Sequence, residues 1–176
     1  MSAGGSGSRA LISLGSNIDP RLNLPRAVEL LAGRLDVRAI SSLWESPAKG
    51  APGTPRFLNA AVIVETALAP EALKFDVLRP LEELMGRRRG SDPNEPRVID
   101  LDLTLYDDLV VELPRPGAAA GLVLPDPELL ASAHVILPAA EIAGGWRHPL
   151  DGRTLEELAT PFREDPAIRT VGSLTG

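Results

Sequence analysis

Apolar residues recur along this chain with two periods, near two and near 3.6, and the changes of period outline its elements. Residues 9–13 (RALIS) read as a first strand, closed by the turn-prone Gly15-Ser16-Asn17. From Leu24 the period lengthens. Leu24, Ala27, Val28, Leu31 and Leu35 fall on one helical face, with Pro25 suited to a first turn. Residues 37–44 (VRAISSLW) return to strand character, and a loop rich in Pro and Gly (ESPAKGAPGTPR) separates them from a third strand at 57–66 (FLNAAVIVET). A second helix follows, its stripe carried by Leu73, Val77, Leu81 and Leu84. Pro80 inside it predicts a kink or local irregularity, and Gly86 ends it. A polar loop (RRRGSDPNEP) leads into residues 97–106 (RVIDLDLTLY), a further strand, and YDD turns the chain toward a short strand, LVVE.

The order β-α-β-β-α-β is that of the split βαβ unit. It predicts an α+β protein, a ferredoxin-like βαββαβ sandwich with extra C-terminal helices and hairpin. In the remainder, PRPGAAAG reads as a flexible connection and PDPELLASAHVILPAAEIAG as short helical stretches. HPLDGRTLEELA combines a D-G turn with a Thr154…Glu157 capping box. With 176 residues, a single domain over 9–160 is expected, between a small, polar, disordered tail at 1–8 and a C-terminal tail at 161–176.

Composition narrows the function classes. A net charge of −6 argues against a general binder of nucleic acid or membrane surfaces. An RNA-binding module on this fold needs basic charge and exposed aromatics, and 3% aromatic residues fail the second test as the charge fails the first. The absence of cysteine excludes disulfides and thiolate metal sites and fits a cytoplasmic protein. No apolar run approaches membrane-spanning length, and the N-terminal stretch has no signal-peptide h-region. Small molecules are therefore the expected partners. Sixteen of the 18 basic residues are arginine, and Arg87, Arg88 and Arg89 are consecutive, which suits a small anion.

Asp100 and Asp102 stand two apart in a strand, so their side chains share a face. Asp is poor in strands and the two charges repel. One reading is a solvent-facing polar row. The other is a divalent cation: Mg²⁺ commonly takes one or two protein carboxylates and completes its shell with substrate phosphates. The arginine run on the entry loop, with Arg97 opening the strand, is either a solvated basic loop or the charge complement of phosphoryl transfer. No G-x-x-x-x-G-K-[ST] is present, so this is not a P-loop enzyme.

The blocks ALISLGSN, FLNAAV, LEELMGRRR, PRVIDLDLTLYDD, LPAAEIA and DGRTLEEL, in this order, resemble the 6-hydroxymethyl-7,8-dihydropterin pyrophosphokinase family. The resemblance implies diphosphate transfer from ATP to a pterin alcohol, with AMP leaving. It implies two Mg²⁺ ions on Asp100 and Asp102, and phosphate contacts from Arg87 and Arg97. Glu82, Arg89 and Leu103 fall on the ATP side, where Arg79 is a further candidate. Ser46, Pro47, Phe57 and Asn59 match the pterin pocket, Phe57 by stacking and Asn59 by hydrogen bonding. For Phe57 and Asn59 alone, core packing and a strand-end hydrogen bond read equally well.

The chain departs from the family pattern in two places. Pro93-Asn94-Glu95 replaces an Arg-Trp-Gly common before the Pro-Arg of the strand, and Asp126 and Ser132 replace a phosphate-binding His and Arg. His134 stands where a second stacking aromatic is expected, and as a lone His beside apolar residues it also reads as a packing residue. The alternatives carried forward are a diphosphokinase acting on a different pterin alcohol and a non-catalytic pterin- or nucleotide-binding relative.

Overall fold

The structure, a computed structural model, describes residues 7–90, 92–115 and 121–175. The expected tail at 1–8 lies outside the described residues except for its last two, as does the greater part of PRPGAAAG, residues 116–120. The protein is a mixed α/β fold on an antiparallel sheet. Strands β1 (Ser8–Ser16) and β4 (Phe57–Thr66) are its centre, paired from Ser8↔Thr66 to Ser16↔Leu58. Strand β5 (Asp100–Tyr106) borders β1; β2 (Asp36–Ile40) and β3 (Ser42–Ser46) border β4; β8 (Arg169–Ser173) closes the edge on β3. A separate pair joins β6 (Val111–Leu113) to β7 (Leu122–Leu124).

Alternation along the central strands loads both faces. Ala10, Ile12 and Leu14 of β1, with Val62 and Val64 of β4 and Leu101 and Leu103 of β5, pack against Leu24 and Leu31 of α1 (Pro20–Ala32) and against Leu73, Leu78 and Leu81 of the second helical segment. The intervening Leu11, Ala61 and Ile63 pack on the other face against α5 (Ala133–Ala143), which follows the short α4 (Glu128–Ala131), and against α6 (Leu155–Ala159). In β5 the pairing jumps from Leu11↔Leu105 to Ile12↔Leu103, so Thr104 is an extra residue. Such a bulge reverses the face of everything beyond it. Leu101 and Leu103 therefore belong to the α1 side and Leu105 to the α5 side. Asp100 and Asp102 consequently point to the α5 side.

Four local expectations are corrected. The single strand at 37–44 divides at Ser41, whose backbone N–H donates to Ala61 O at 2.9 Å and whose hydroxyl accepts the Ala61 N–H at 2.8 Å, so a side chain stands in for one rung of the ladder. Helix α1 begins at Pro20, which takes the first-turn role, and Pro25 lies inside the helix. The second helix comprises α2 (Pro70–Ala72), a π-helical segment (Leu73–Leu78) and α3 (Arg79–Leu84). Arg79 N–H bonds Lys74 O, five residues back, just before Pro80. The wider turn rotates the stripe, burying Leu78 and leaving Leu84 58% exposed. Finally, the segment read as a C-terminal tail contains β8. The Thr154–Glu157 capping box forms as expected, both reciprocal bonds being present. Among the described residues no helix is long and apolar enough to cross a membrane.

Candidate active site

Beyond the reach of α5 the sheet's inner face is open, and a cavity of about 440 Å³ sits there. That is the size of a small-molecule pocket. Ser13 and Gly15 of β1, Phe57 and Asn59 of β4, Ser46 of β3, and Asp100 and Asp102 of β5 form its floor. Pro47, Lys49, Pro93, Asn94, Glu95 and Arg97 come from two loops, and Asp126, Glu128, His134 and Val135 close the far wall. Eight expected residues thus meet in one cavity: Ser46, Pro47, Phe57, Asn59, His134, Arg97, Asp100 and Asp102.

Asn59 is nearly fully buried, and its amide nitrogen is already committed, donating to Trp44 O at 3.1 Å and Ser46 Oγ at 2.8 Å. A main-chain carbonyl can only accept, which fixes the amide orientation. The carbonyl Oδ1 is left for the cavity. Gly15 keeps it open, since a Cβ there would come within 3.4 Å of that oxygen. Ser46, having accepted from Asn59, retains its own proton to donate. A fixed acceptor beside a donor, with Phe57 on the same wall, suits the edge and face of a flat, polar heterocycle. Asn59→Asp places a carboxylate oxygen against Trp44 O and is expected to cost about 1–3 kcal/mol of stability. Ligand binding should be lost as well, which thermal melts with and without a pterin would show.

Asp100 and Asp102 lie side by side on the cavity floor. Desolvation, then Asp100 and Asp126, push the pKa of Asp102 up to about 7. Arg97 answers part of this charge: its Nη1 donates to Asp100 Oδ2 at 2.5 Å and its Nη2 to Pro93 O at 2.6 Å. A cation would relieve the remaining repulsion, so the pair fits a hard divalent ion. Among the described residues no group of three or more His, Asp or Glu is arranged to hold a metal, which leaves such an ion two carboxylates and places for ligand oxygens.

The remaining expected residues stand outside this cavity. Leu103 is a core side chain, 3% exposed, on the opposite face of β5. Glu82 is buried too, and joins three elements: Oε1 accepts Leu101 N–H at 2.8 Å, Oε2 accepts from Arg89 at 2.6 Å, and Arg79 lies 3.8 Å away. Burial pushes its pKa up to about 8, against the opposing pull of the Leu101 N–H bond. It braces the Asp-bearing strand and the arginine loop. Arg87 follows Gly86, whose φ of 91° ends α3. Gly86 N–H bonds Glu83 O and Arg87 N–H bonds Glu82 O at 2.9 Å, a Schellman closure that aims the loop. Gly86→Ala is expected to cost about 1–2 kcal/mol, measurable by urea titration. The Arg87 Nε is buried without a hydrogen-bond partner among the described residues.

The substituted positions are not neutral bystanders. Asp126 and Glu128 bring two further carboxylates to the cavity wall, and Ser132 Oγ hydrogen-bonds the Glu128 carboxylate. Desolvation keeps the His134 pKa below its usual value, so the ring is neutral at pH 7, a flat wall element and not a cation. Sequence reasoning missed Lys49, Glu128 and above all Asn17. The last sits in a Gly-Ser-Asn stretch that reads as a mere turn.

A mixed α/β domain whose antiparallel sheet opens onto a ring-sized pocket, with paired carboxylates and an arginine beside it, belongs to the small-molecule group-transfer class. Residues 11–144 match the 7,8-dihydro-6-hydroxymethylpterin-pyrophosphokinase (HPPK) family, and the chain belongs to that family. It is similar to the 2-amino-4-hydroxy-6-hydroxymethyldihydropteridine pyrophosphokinase of Pseudomonas aeruginosa, 36% identical over 159 residues, which cover 88% of this chain and 93% of that protein. The Methylorubrum extorquens protein of the same name is 38% identical over 139 residues, 77% of this chain and 83% of its own. In fold it is similar to a crystal structure of Plasmodium falciparum HPPK-DHPS, with a TM-score of 0.75 at 14% identity over 96% of this chain. The chain spans about half of that longer protein, 46% of its length.

Proposed function

We propose that this protein transfers the diphosphate of ATP to the hydroxymethyl group of 6-hydroxymethyl-7,8-dihydropterin, releasing AMP and the pterin diphosphate. The observation that carries the reading is the continuity of one cavity from Asn59, Ser46 and Phe57 to Asp100, Asp102 and Arg97. Relatives carrying the HPPK name support the substrate. The sheet order β5-β1-β4-β3 supports a ferredoxin-like topology, in which β4 splits the first β-α-β unit and β1 the second.

In this reading Asn59 Oδ1 and the Ser46 hydroxyl orient the pterin ring, and Phe57 and His134 bound its faces. Asp100 and Asp102 would hold Mg²⁺, two ions in the full complex, supplying Lewis-acid stabilisation of charge on the transferred phosphates. Arg97 supplies positive charge from the loop side, with Arg87 and Arg89 arriving from the loop that Glu82 anchors. Most of the acceleration is positioning and electrostatics. The proposal sets the reaction in the cytoplasm, with small molecules as partners.

One observation favours a second reading. Asp126 and Glu128 add negative charge to the cavity where the family pattern has a phosphate-binding cation, which disfavours a triphosphate unless cations screen it. The alternative is transfer to another pterin alcohol. Steady-state rates on several pterin alcohols with Mg-ATP separate the two. The first reading expects the highest kcat/KM with the 6-hydroxymethyl-7,8-dihydro compound. A higher value for another alcohol would replace it.

A further inference from the structure

We infer that Asn17 is a positioning residue that pins Arg97 and the loop at 47–56 to the end of β1, holding the cationic side of the cavity and its opposite wall in one relative placement. The inference rests on the diphosphate-transfer reading above.

Asn17 is buried, 4% exposed, and its side-chain amide and backbone N–H are all spent on other loops. Its Oδ1 accepts the Arg97 N–H at 2.6 Å. Its own N–H and that of Ile18 donate to Arg97 O at 3.0 and 3.2 Å. Its Nδ2 donates to Pro55 O at 3.2 Å. Ser16 Oγ adds a longer contact to Arg97 O at 3.4 Å. The backbone of Arg97 is thus gripped at both its donor and its acceptor, as a ladder partner would be, though residue 97 belongs to no strand. Only a planar amide of this length offers an acceptor to one loop and a donor to the other. Asp lacks the donor, and Ser is too short to reach both.

Among the described residues the other bonds that tie these loops down are made by arginine side chains, Arg56 to Glu45 and Ala167 O and Arg97 to Asp100. The stretch at 47–56 carries Pro47 and Lys49, and the stretch at 92–97 carries Pro93, Asn94, Glu95 and Arg97, all cavity-lining and all without regular structure. The Arg97 guanidinium, between Asp100 and Pro93 O, is aimed only as well as its backbone is held. Misplacement of such a group by about 1 Å can cost on the order of 10²-fold in rate.

A double-mutant cycle on AMP formation tests this, with thermal melts alongside. Asn17→Ala is expected to lower kcat by about 30–100-fold, and to lower it less than about 3-fold when Arg97 is already Ala, because the two act through one guanidinium. Asn17→Asp keeps the acceptor for Arg97 N–H and should retain most of kcat, while a raised pterin KM reports the freed Pro55 loop. Equal fold-losses with and without Arg97 would reduce Asn17 to a stabilising residue and overturn the inference. If the parent protein forms no AMP, the functional reading fails by itself. Hydrogen exchange at the Arg97 amide then decides the positioning claim. Faster exchange in Asn17→Ala than in Asn17→Asp supports it, and unchanged protection in both refutes it.

Discussion

Asp102→Asn is expected to slow diphosphate transfer by about 10³-fold or more while making the metal-free protein more stable than the parent. Both effects have one source. Asp102 is a carboxylate held against Asp100 and Asp126 in a desolvated place, so its ordinary value of 3.8 is pushed up to about 7. Between those two values the folded protein keeps a proton that the unfolded chain has given up, and stability falls as pH rises through that window. Metal-free protein should accordingly melt at a lower temperature at pH 8 than at pH 5. Asn carries no charge to repel, so the variant should lose part of that slope. Mg²⁺ with ATP should restore the parent at pH 8 and leave the variant unmoved. Differential scanning calorimetry across pH, with and without Mg-ATP, reads all of this. An Asp102→Asn protein that melts below the parent at pH 8 without metal would contradict the account of the site as stored repulsion.

The second large effect is structural. Glu82→Ala removes the acceptor of the Leu101 N–H and the anchor of Arg89 in one step. Leaving a buried donor unpaired costs about 1–3 kcal/mol, and breaking a buried ion pair adds to it. Arg89 is half-exposed and is rehydrated on release, so a total of about 2–4 kcal/mol is expected. Glu82→Gln keeps an oxygen for Leu101 N–H and should recover most of that loss, leaving a charge effect on the arginine loop visible in the KM for ATP. Urea unfolding of the two variants checks the order. Equal loss in both would mean that the Arg89 pair, not the strand contact, does the bracing.

These effects also show which features could be read before the fold was known. The strands of the sheet's centre were legible because burial on both faces demands unbroken β-branched and aliphatic runs, as in FLNAAVIVET. The Asp pair was legible because it is costly in a strand, and costly features mark function. Strand β8 was not: its residues, Arg169–Ser173, are nearly all exposed and carry no apolar alternation. The π-helical segment was only half legible. Pro80 announced an irregularity, but the added residue in the turn, which moved burial to Leu78 and turned Leu84 outward, has no period of its own. The division at Ser41 depends on one hydroxyl meeting the Ala61 N–H, a contact between residues 20 positions apart.

Among the residues lining the cavity, types that announce themselves were legible: aspartates in a strand, the arginine that opens it, an aromatic two residues from an amide. Asn17 was overlooked because its partners, Arg97 and Pro55, come from far along the chain and meet it through their backbones. Asn59 turns only its Oδ1 to the cavity, since Trp44 O and Ser46 Oγ occupy its amine, a division that the sequence does not display. Asp126 and Glu128 join Asp100 and Asp102 on one cavity, which in the proposed reaction raises the demand for cations beside the phosphates.

The most direct measurement is phosphorus NMR of the protein incubated with Mg-ATP and 6-hydroxymethyl-7,8-dihydropterin. The account predicts AMP together with a pterin-linked diphosphate, in equal amounts, and neither with Asp102→Asn. ATP left intact by folded protein, or ADP and phosphate appearing in place of AMP, would contradict it.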